Sequence, residues 1–309
     1  MKKSILSTLV LAVLFSTAAG AAVAQTTLEL NEFTGISIGG SFDVSIVKGT
    51  GYQAVVTVED AFLPYLECKV NGRTLSIDLD ERKVPSEVRK QFRAKGTPTP
   101  EFKALITVPG VLQSVALSDK AVLRDCDGVF DDAKVSINLT DNAIARNVDV
   151  KSQAVHIYLQ NKSAGDFKVN SKVLEVEAGN NTNLRIEDNS DLSDYQIQGS
   201  TNVTATVQTA TLKISAKGNS EMKLSGTASS AVYELSGTSE VSAEEFEVPD
   251  ARVTMSSVSV LKQGAYKTLT VNLNGGSTLL FANDPVVTVE NIKSSTMARI
   301  STGRKPATI

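Results

Sequence analysis

Apolar side chains return along the second half of this chain at a fixed interval. Leu184, Val203, Met222, Val241 and Val260 stand 19 residues apart, Leu279 continues the series, and Met297 follows at 18. Backwards, Ala164 and Ile144 extend it at intervals of 20, and Val122 lies 22 before Ile144. Gly199, Gly218, Gly237 and Gly275 keep the same interval, with Ser256 at the missing step. A repeat of this length is one structural unit used many times. Inside each unit, short stretches alternate apolar and polar, as in Leu212-Lys213-Ile214-Ser215, and end in a small polar turn such as Lys217-Gly218-Asn219. Alternation of period two is the mark of a half-buried strand, and the 3.6-residue period of helical repeats is missing. Two short strands and two tight turns occupy about 19 residues, one turn of a narrow coil whose successive turns stack at a strand spacing of ~4.8 Å. The pattern therefore predicts an all-β fold, a right-handed parallel β-helix or solenoid with coils of about 19 residues, ten of them over residues 111–301.

The turns carry their own expectation. Asn142, Asn161, Asn181 and Asn219 occupy similar places in the repeat. Asparagine satisfies turn backbone with its own amide, so these four are expected to form a structural ladder rather than a ligand site.

The first half is less regular. Ile36, Ile38, Phe42, Val44 and Ile46 fall on a period of two, Asn71-Gly72 is a hairpin signal, and Leu75, Ile77 and Leu79 make the return strand. Residues 25–110 thus read as an N-terminal β region capping one end of the solenoid. Within it, residues 81–101 crowd basic side chains and prolines together. This excursion reads either as a solvated segment with a helical turn between residues 86 and 94, or as a partner-binding loop through Arg89, Lys90 and Arg93. Residues 302–309 read as a frayed tail.

Residues 1–24 have the form of a secretory signal peptide: Lys2 and Lys3, an apolar stretch, then Ala22-Val23-Ala24 as a small-x-small cleavage site. No later stretch is apolar enough to span a membrane as a helix. The protein is accordingly expected to be exported, and to be periplasmic, outer-membrane-associated or secreted. Without the leader it keeps 29 basic against 34 acidic side chains, a net charge of about −5. That balance argues against nucleic acid, which requires a concentrated basic surface. The two cysteines, Cys68 and Cys126, suit a disulfide in an exported protein, or two buried thiols.

Candidate chemistry is sparse. Asp119 and Asp141 hold equivalent turn positions on adjacent coils, with Asp127, Asp131, Asp132 and Asp166 elsewhere in the first coils. Grouped carboxylates on a β-helix are what a carbohydrate-active enzyme would need; solvated turn acids are the simpler reading. His156, the one histidine, lies on the outward face of an alternating strand, and without partners it makes no metal centre. No cofactor is expected.

Phe33, Ile36, Ile38, Gly40, Phe42-Asp43-Val44 and Ile46, followed by Asn71-Gly72 and Leu75, Ile77, resemble the head GIN domain family. So do Ile106-Thr107-Val108-Pro109 and Leu112. That family is labelled auto-transporter adhesin and is common in exported proteins of Bacteroidetes-type bacteria. The resemblance runs over nearly all of the mature chain and implies a single-chain β-helical fold; its motifs are structural, not catalytic. The 19-residue interval running almost to Ile309 leaves no space for an outer-membrane barrel, whose strands need ~9 to 11 residues each. The expected function is a non-enzymatic envelope protein, an adhesin or binding module for a glycan or an envelope or surface protein. A carbohydrate-active enzyme using Asp119 and Asp141, or a structural scaffold, are the alternatives. Recognition is expected where the repeat is broken: the N-terminal strands, the basic excursion or the coils around Asp119 and Asp141.

Overall fold

The structure is a computed structural model and describes residues 12–16, 23–79, 82–92, 100–126 and 128–300. Most of the expected leader, Asp127, part of the basic excursion including Arg93, and the expected tail lie outside the described residues. Strands make up 66% of the described residues and helices 4%, which places the protein in the all-β class, with about ten solenoid turns of about 19 residues each. Two compact units divide it, residues 1–149 and 150–309.

In the first unit, β1 (Ala12–Ser16), β2 (Val23–Glu29), β3 (Gly35–Ile38), β4 (Asp43–Lys48) and β5 (Gln53–Glu59) are followed by a 3-10 helix, Asp60–Tyr65. Next come β6 (Leu66–Asn71), β7 (Thr74–Leu79), α1 (Ser86–Gln91) and β8 (Lys103–Val108). β9 (Ser114–Leu117), β10 (Val122–Asp125), β11 (Lys134–Leu139) and β12 (Ile144–Lys151) complete the series. One ladder runs β6-β7-β3-β9-β11, antiparallel at β6-β7 and parallel thereafter. The other runs β1-β2-β5-β8-β4-β10-β12, antiparallel as far as β8 and parallel beyond it. Coil-like parallel stacking therefore already involves β3, β4, β7 and β8, out of chain order. The antiparallel strands lie at one end of each ladder. The alternating residues Ile36, Ile38, Phe42, Val44, Ile46, Leu75 and Ile77 are all fully buried. The hairpin at Asn71-Gly72 forms with Asn71 opposite Thr74. Gly72 is thus the first central residue, and its φ of 60° is one that glycine adopts without a Cβ penalty.

The described part of the excursion is anchored. Val84 is buried, and an aromatic chain runs from Phe92 to Phe62 (centroids 5.1 Å), to Phe102 (5.2 Å) and to Phe42 (5.8 Å). α1 falls within the stretch where a helical turn is expected.

In the second unit, β13 (Ala154–Leu159) is followed by β14 (Ala164–Gly179), β15 (Asn183–Gly199), β16 (Asn202–Gly218) and β17 (Glu221–Leu235). Each of β14 to β16 runs through two faces of a coil and pairs parallel with the next at a shift of 19. β18 (Glu240–Glu247), β19 (Asp250–Met255), β20 (Val260–Gln263), β21 (Thr268–Asn274), β22 (Thr278–Phe281), β23 (Val286–Lys293) and β24 (Thr296–Arg299) continue with the two faces separated.

This pairing corrects the apolar series in two places. Val241 stacks on Leu261, not Val260, because a coil of 20 residues is followed by one of 18. The two deviations cancel, so Leu279 returns to the 19-residue count. Leu261 is fully buried and Val260 only half-buried. The backward extension is likewise one residue off. Val122, Ile144 and Ala164 are half-buried, while Leu123, Ala145 and Gly165 face inward. Gly165 has no side chain because the Phe167 ring takes its space; a Cβ there would lie 2.2 Å from that ring.

Candidate functional site

The turn residues sort into three columns. One left-handed residue recurs at each turn: Asp119 (φ 60°) and Asp141 (55°) in the first unit, then Asn161 (56°), Asn180 (57°), Gly199 (69°), Gly218 (77°), Gly237 (77°), Ser257 (62°), Gly275 (70°) and Ser294 (54°) in the second. Only Gly, Asn, Asp and a few Ser hold these positions, since other side chains resist this conformation. The glycine column runs through Ser257 rather than Ser256, for the same 20-then-18 reason. Asn142 and Asn181, also left-handed, and Asn219 belong to the next position along. The four asparagines expected to form one ladder therefore occupy two columns. The contact seen is between Asn180 Nδ2 and Asn161 Oδ1 (3.5 Å), while Asn219 Oδ1 accepts from Thr238 Oγ1 (3.2 Å). A third column lies inside: Ser163, Thr182, Thr201, Ser220, Ser239, Ser259 and Ser277, all buried. Thr182 donates to Thr201 (3.3 Å), which donates to the Gln198 carbonyl (2.7 Å). Its recurrence at 18 to 20 residues was readable in the sequence.

Asp119 and Asp141 do hold equivalent positions, since β9 and β11 pair in register 22 residues apart. Asp119 is engaged structurally. Its Oδ2 accepts the Gly40 N–H at 3.0 Å, and the Lys120 N–H returns to the Gly40 carbonyl at 2.9 Å. Arg89 is half-buried and Lys90 exposed on α1. His156 faces outward beside Glu177, Nε2 to Oε1 3.2 Å. Among the described residues, no group of three or more His, Cys, Asp or Glu is placed to hold a metal ion.

No disulfide links Cys68 and Cys126. β6, which carries Cys68, is separated from β9 of the Cys126 coil by β7 and β3. Three strand spacings are about 14 Å, twice the roughly 7 Å that a disulfide can span between Cα atoms. Burial pushes the Cys68 thiol up to about 11.

A polar cluster sits inside the coil of β15. Asp188 is buried, and its Oδ2 accepts from the buried Tyr195 hydroxyl at 2.8 Å. Burial raises the Asp188 pKa, opposed by the Ser190, Ser193 and Tyr195 hydroxyls. Tyr195 is itself pushed well above its ordinary range by burial and by Asp188.

On the outer surface of these regular coils lies a groove of about 410 Å³. One wall is the in-register column Lys168, Glu187 and Thr206; the other is Asn170, Asn189, Gln208 and Thr227. The floor is the chain at Val169, Asp188, Val207 and Gly226. The walls are two residues apart along each strand, about 7 Å, and four strands span about 14 Å along the stacking direction. Gly226 (φ 109°) admits no side chain, since a Cβ would lie 2.1 Å from the Val207 carbonyl oxygen. Just beyond, the pairing of β17 with β18 shifts register between Lys223 and Ser225. Lys168 Nζ and Glu187 Oε2 are 3.9 Å apart, so the two charges on the groove's walls offset each other. Recognition was expected at irregular parts of the chain; this groove is built by its most regular strands. Its signal was amides recurring every 19 residues at outward positions.

The chain is thus a β-solenoid whose coils carry an outward groove walled by amide, hydroxyl and paired charged side chains. The chain belongs to the family described as "Putative auto-transporter adhesin, head GIN domain", whose model matches residues 32–187 and 167–285. Thirteen solved chains match it. A "putative adhesin" from Parabacteroides distasonis ATCC 8503 is 13% identical, with a TM-score of 0.48 over 91% of this chain and 98% of that one. Another from Parabacteroides merdae ATCC 43184 is 13% identical, with a TM-score of 0.45 over 90% and 96%. A "putative lipid binding protein" from Parabacteroides distasonis ATCC 8503 is 16% identical, with a TM-score of 0.44 over 90% and 96%. No curated protein matches the chain.

Proposed function

We propose that this protein is an exported, non-enzymatic binding module of the cell envelope, acting as an adhesin through the outer surface of its coils. The observation that carries the reading is the groove on β14 to β17, whose walls repeat the same outward positions in register. Family membership supports it. So does the engagement of Asp119 with Gly40, which favours a structural role for the carboxylate first considered for catalysis. Export rests on residues 1–24, removal of which leaves Gln25 as the first residue and retains the β2–β5 pairing from Gln25 to Glu29.

The test is expression in a Gram-negative host, with mass spectrometry of the mature N-terminus and an adhesion assay on cells displaying the protein. A start at Gln25 and protein-dependent adhesion are expected. An intact leader in the cytoplasm overturns export, and turnover of a polysaccharide by the purified protein overturns the non-enzymatic reading.

A further inference from the structure

We infer that the groove on β14 to β17 binds an uncharged, linear oligosaccharide lying across the strands, along the stacking direction of the coils. The inference rests on the binding-module reading above and names the ligand class of that site.

Three features point to this chemistry. First, the wall of Asn170, Asn189 and Gln208 presents a carbonyl and an NH2 group at each step. Side-chain amides offer donors and acceptors at one position, which matches sugar hydroxyls, each able to do both. Second, the steps are equally spaced, at about the 4.8 Å of stacked strands. A polymer that repeats the same group along its length can engage successive steps alike, whereas a peptide of varied side chains cannot. Third, the groove's walls carry no net charge, because their lysine faces Glu187 at 3.9 Å and the Asp188 carboxylate of the floor is turned inward to Tyr195. An anionic chain would meet one cation already offset by an acid.

The floor also excludes strand addition. The floor residues Val169, Asp188 and Val207 lie within continuous parallel ladders, so their backbone groups are paired between coils. Among the described residues, no aromatic side chain lines the groove. Single-site affinity is accordingly weak, and tight attachment comes from many copies acting together, which raises avidity without new contacts.

The experiment titrates the full-length mature protein, labelled for NMR, with cello-, xylo-, manno- and chitohexaose, and with a hexagalacturonate as the charged control. At least one neutral hexaose is expected to give saturable shifts centred on Asn189 and Gln208. The Asn189→Ala, Gln208→Ala double variant is expected to bind it about tenfold or more weakly, with an unchanged melting temperature. The inference is overturned if no neutral hexaose perturbs these residues, if the double variant binds equally well, or if the uronate binds more tightly. Adhesion by displayed protein that persists through such a failure overturns only the ligand class. Loss of adhesion altogether overturns the binding-module reading.

Discussion

Tyr195 donates a hydrogen bond from its hydroxyl to Asp188 Oδ2 across 2.8 Å inside the coil of β15. A buried carboxylate between apolar layers (Val169 before it and Val207 after it in the stack) costs stability unless it is hydrogen-bonded. Asp188's folded pKa is raised, so its favourable contribution is complete below the unfolded value near 3.9 and is lost as pH rises through the folded value. Asp188→Asn removes the charge. Its stability relative to wild type should therefore increase as pH rises from the ordinary carboxylate range toward neutrality. Tyr195→Phe removes a donor to the carboxylate and should cost about 1–3 kcal/mol, more at neutral than at acidic pH. Urea unfolding at pH 5 and pH 8 measures both; a pH-independent Tyr195→Phe effect would contradict the assignment.

Leu261 and Val260 test the register directly. Leu261, inward and fully buried, should cost about 2–5 kcal/mol on truncation to alanine. Val260, half-buried and paired with Glu240, should cost under about 1 kcal/mol. A strict 19-residue register predicts the reverse order. Thermal unfolding of the two variants distinguishes them.

Gly237 illustrates what the turn column demands. Its φ is 77°, and a Cβ would lie 2.7 Å from the Gly218 carbonyl oxygen and 2.9 Å from its nitrogen. Gly72 also has positive φ (60°), but nothing lies within 4 Å of an added Cβ. Gly72→Ala should cost only the conformational penalty of about 1–2 kcal/mol. Gly237→Ala adds an overpacking cost of about 1–3 kcal/mol. Equal melting temperatures for the two variants would show that the turns do not stack so closely.

The cysteines should behave as thiols. With the Cys68 thiolate favoured only above about pH 11, alkylation of the native protein at neutral pH should be slow at this site. A reductant should leave the melting temperature unchanged. A drop of several degrees on reduction would point to a disulfide.

The fold was largely legible because solenoid repetition writes the same inward positions into every coil. Leu184, Val203, Met222 and Val241 are spaced alike since each sits on the one before. The slip at Val260 was hidden because an insertion and a deletion cancel in a count but not in a hydrogen-bonded ladder. The groove was harder to see. Asn170, Asn189 and Gln208 stand at the repeat interval, yet polar residues at outward strand positions carry no burial signal, so nothing in the pattern singled them out.

The sequence by itself determined the class of fold, the period, the two strand faces and the demand for Gly, Asn or Asp at the turns, because these follow from local alternation and φ preferences. Tertiary structure alone decided the order of the first unit, where β3 and β4 lie between strands that follow them in the chain. It also decided the separation of the two cysteines, the burial of Asp188 against Tyr195 and the alignment of amides into a wall. Each depends on which distant strands exchange backbone hydrogen bonds, a pairing that local residue patterns leave open.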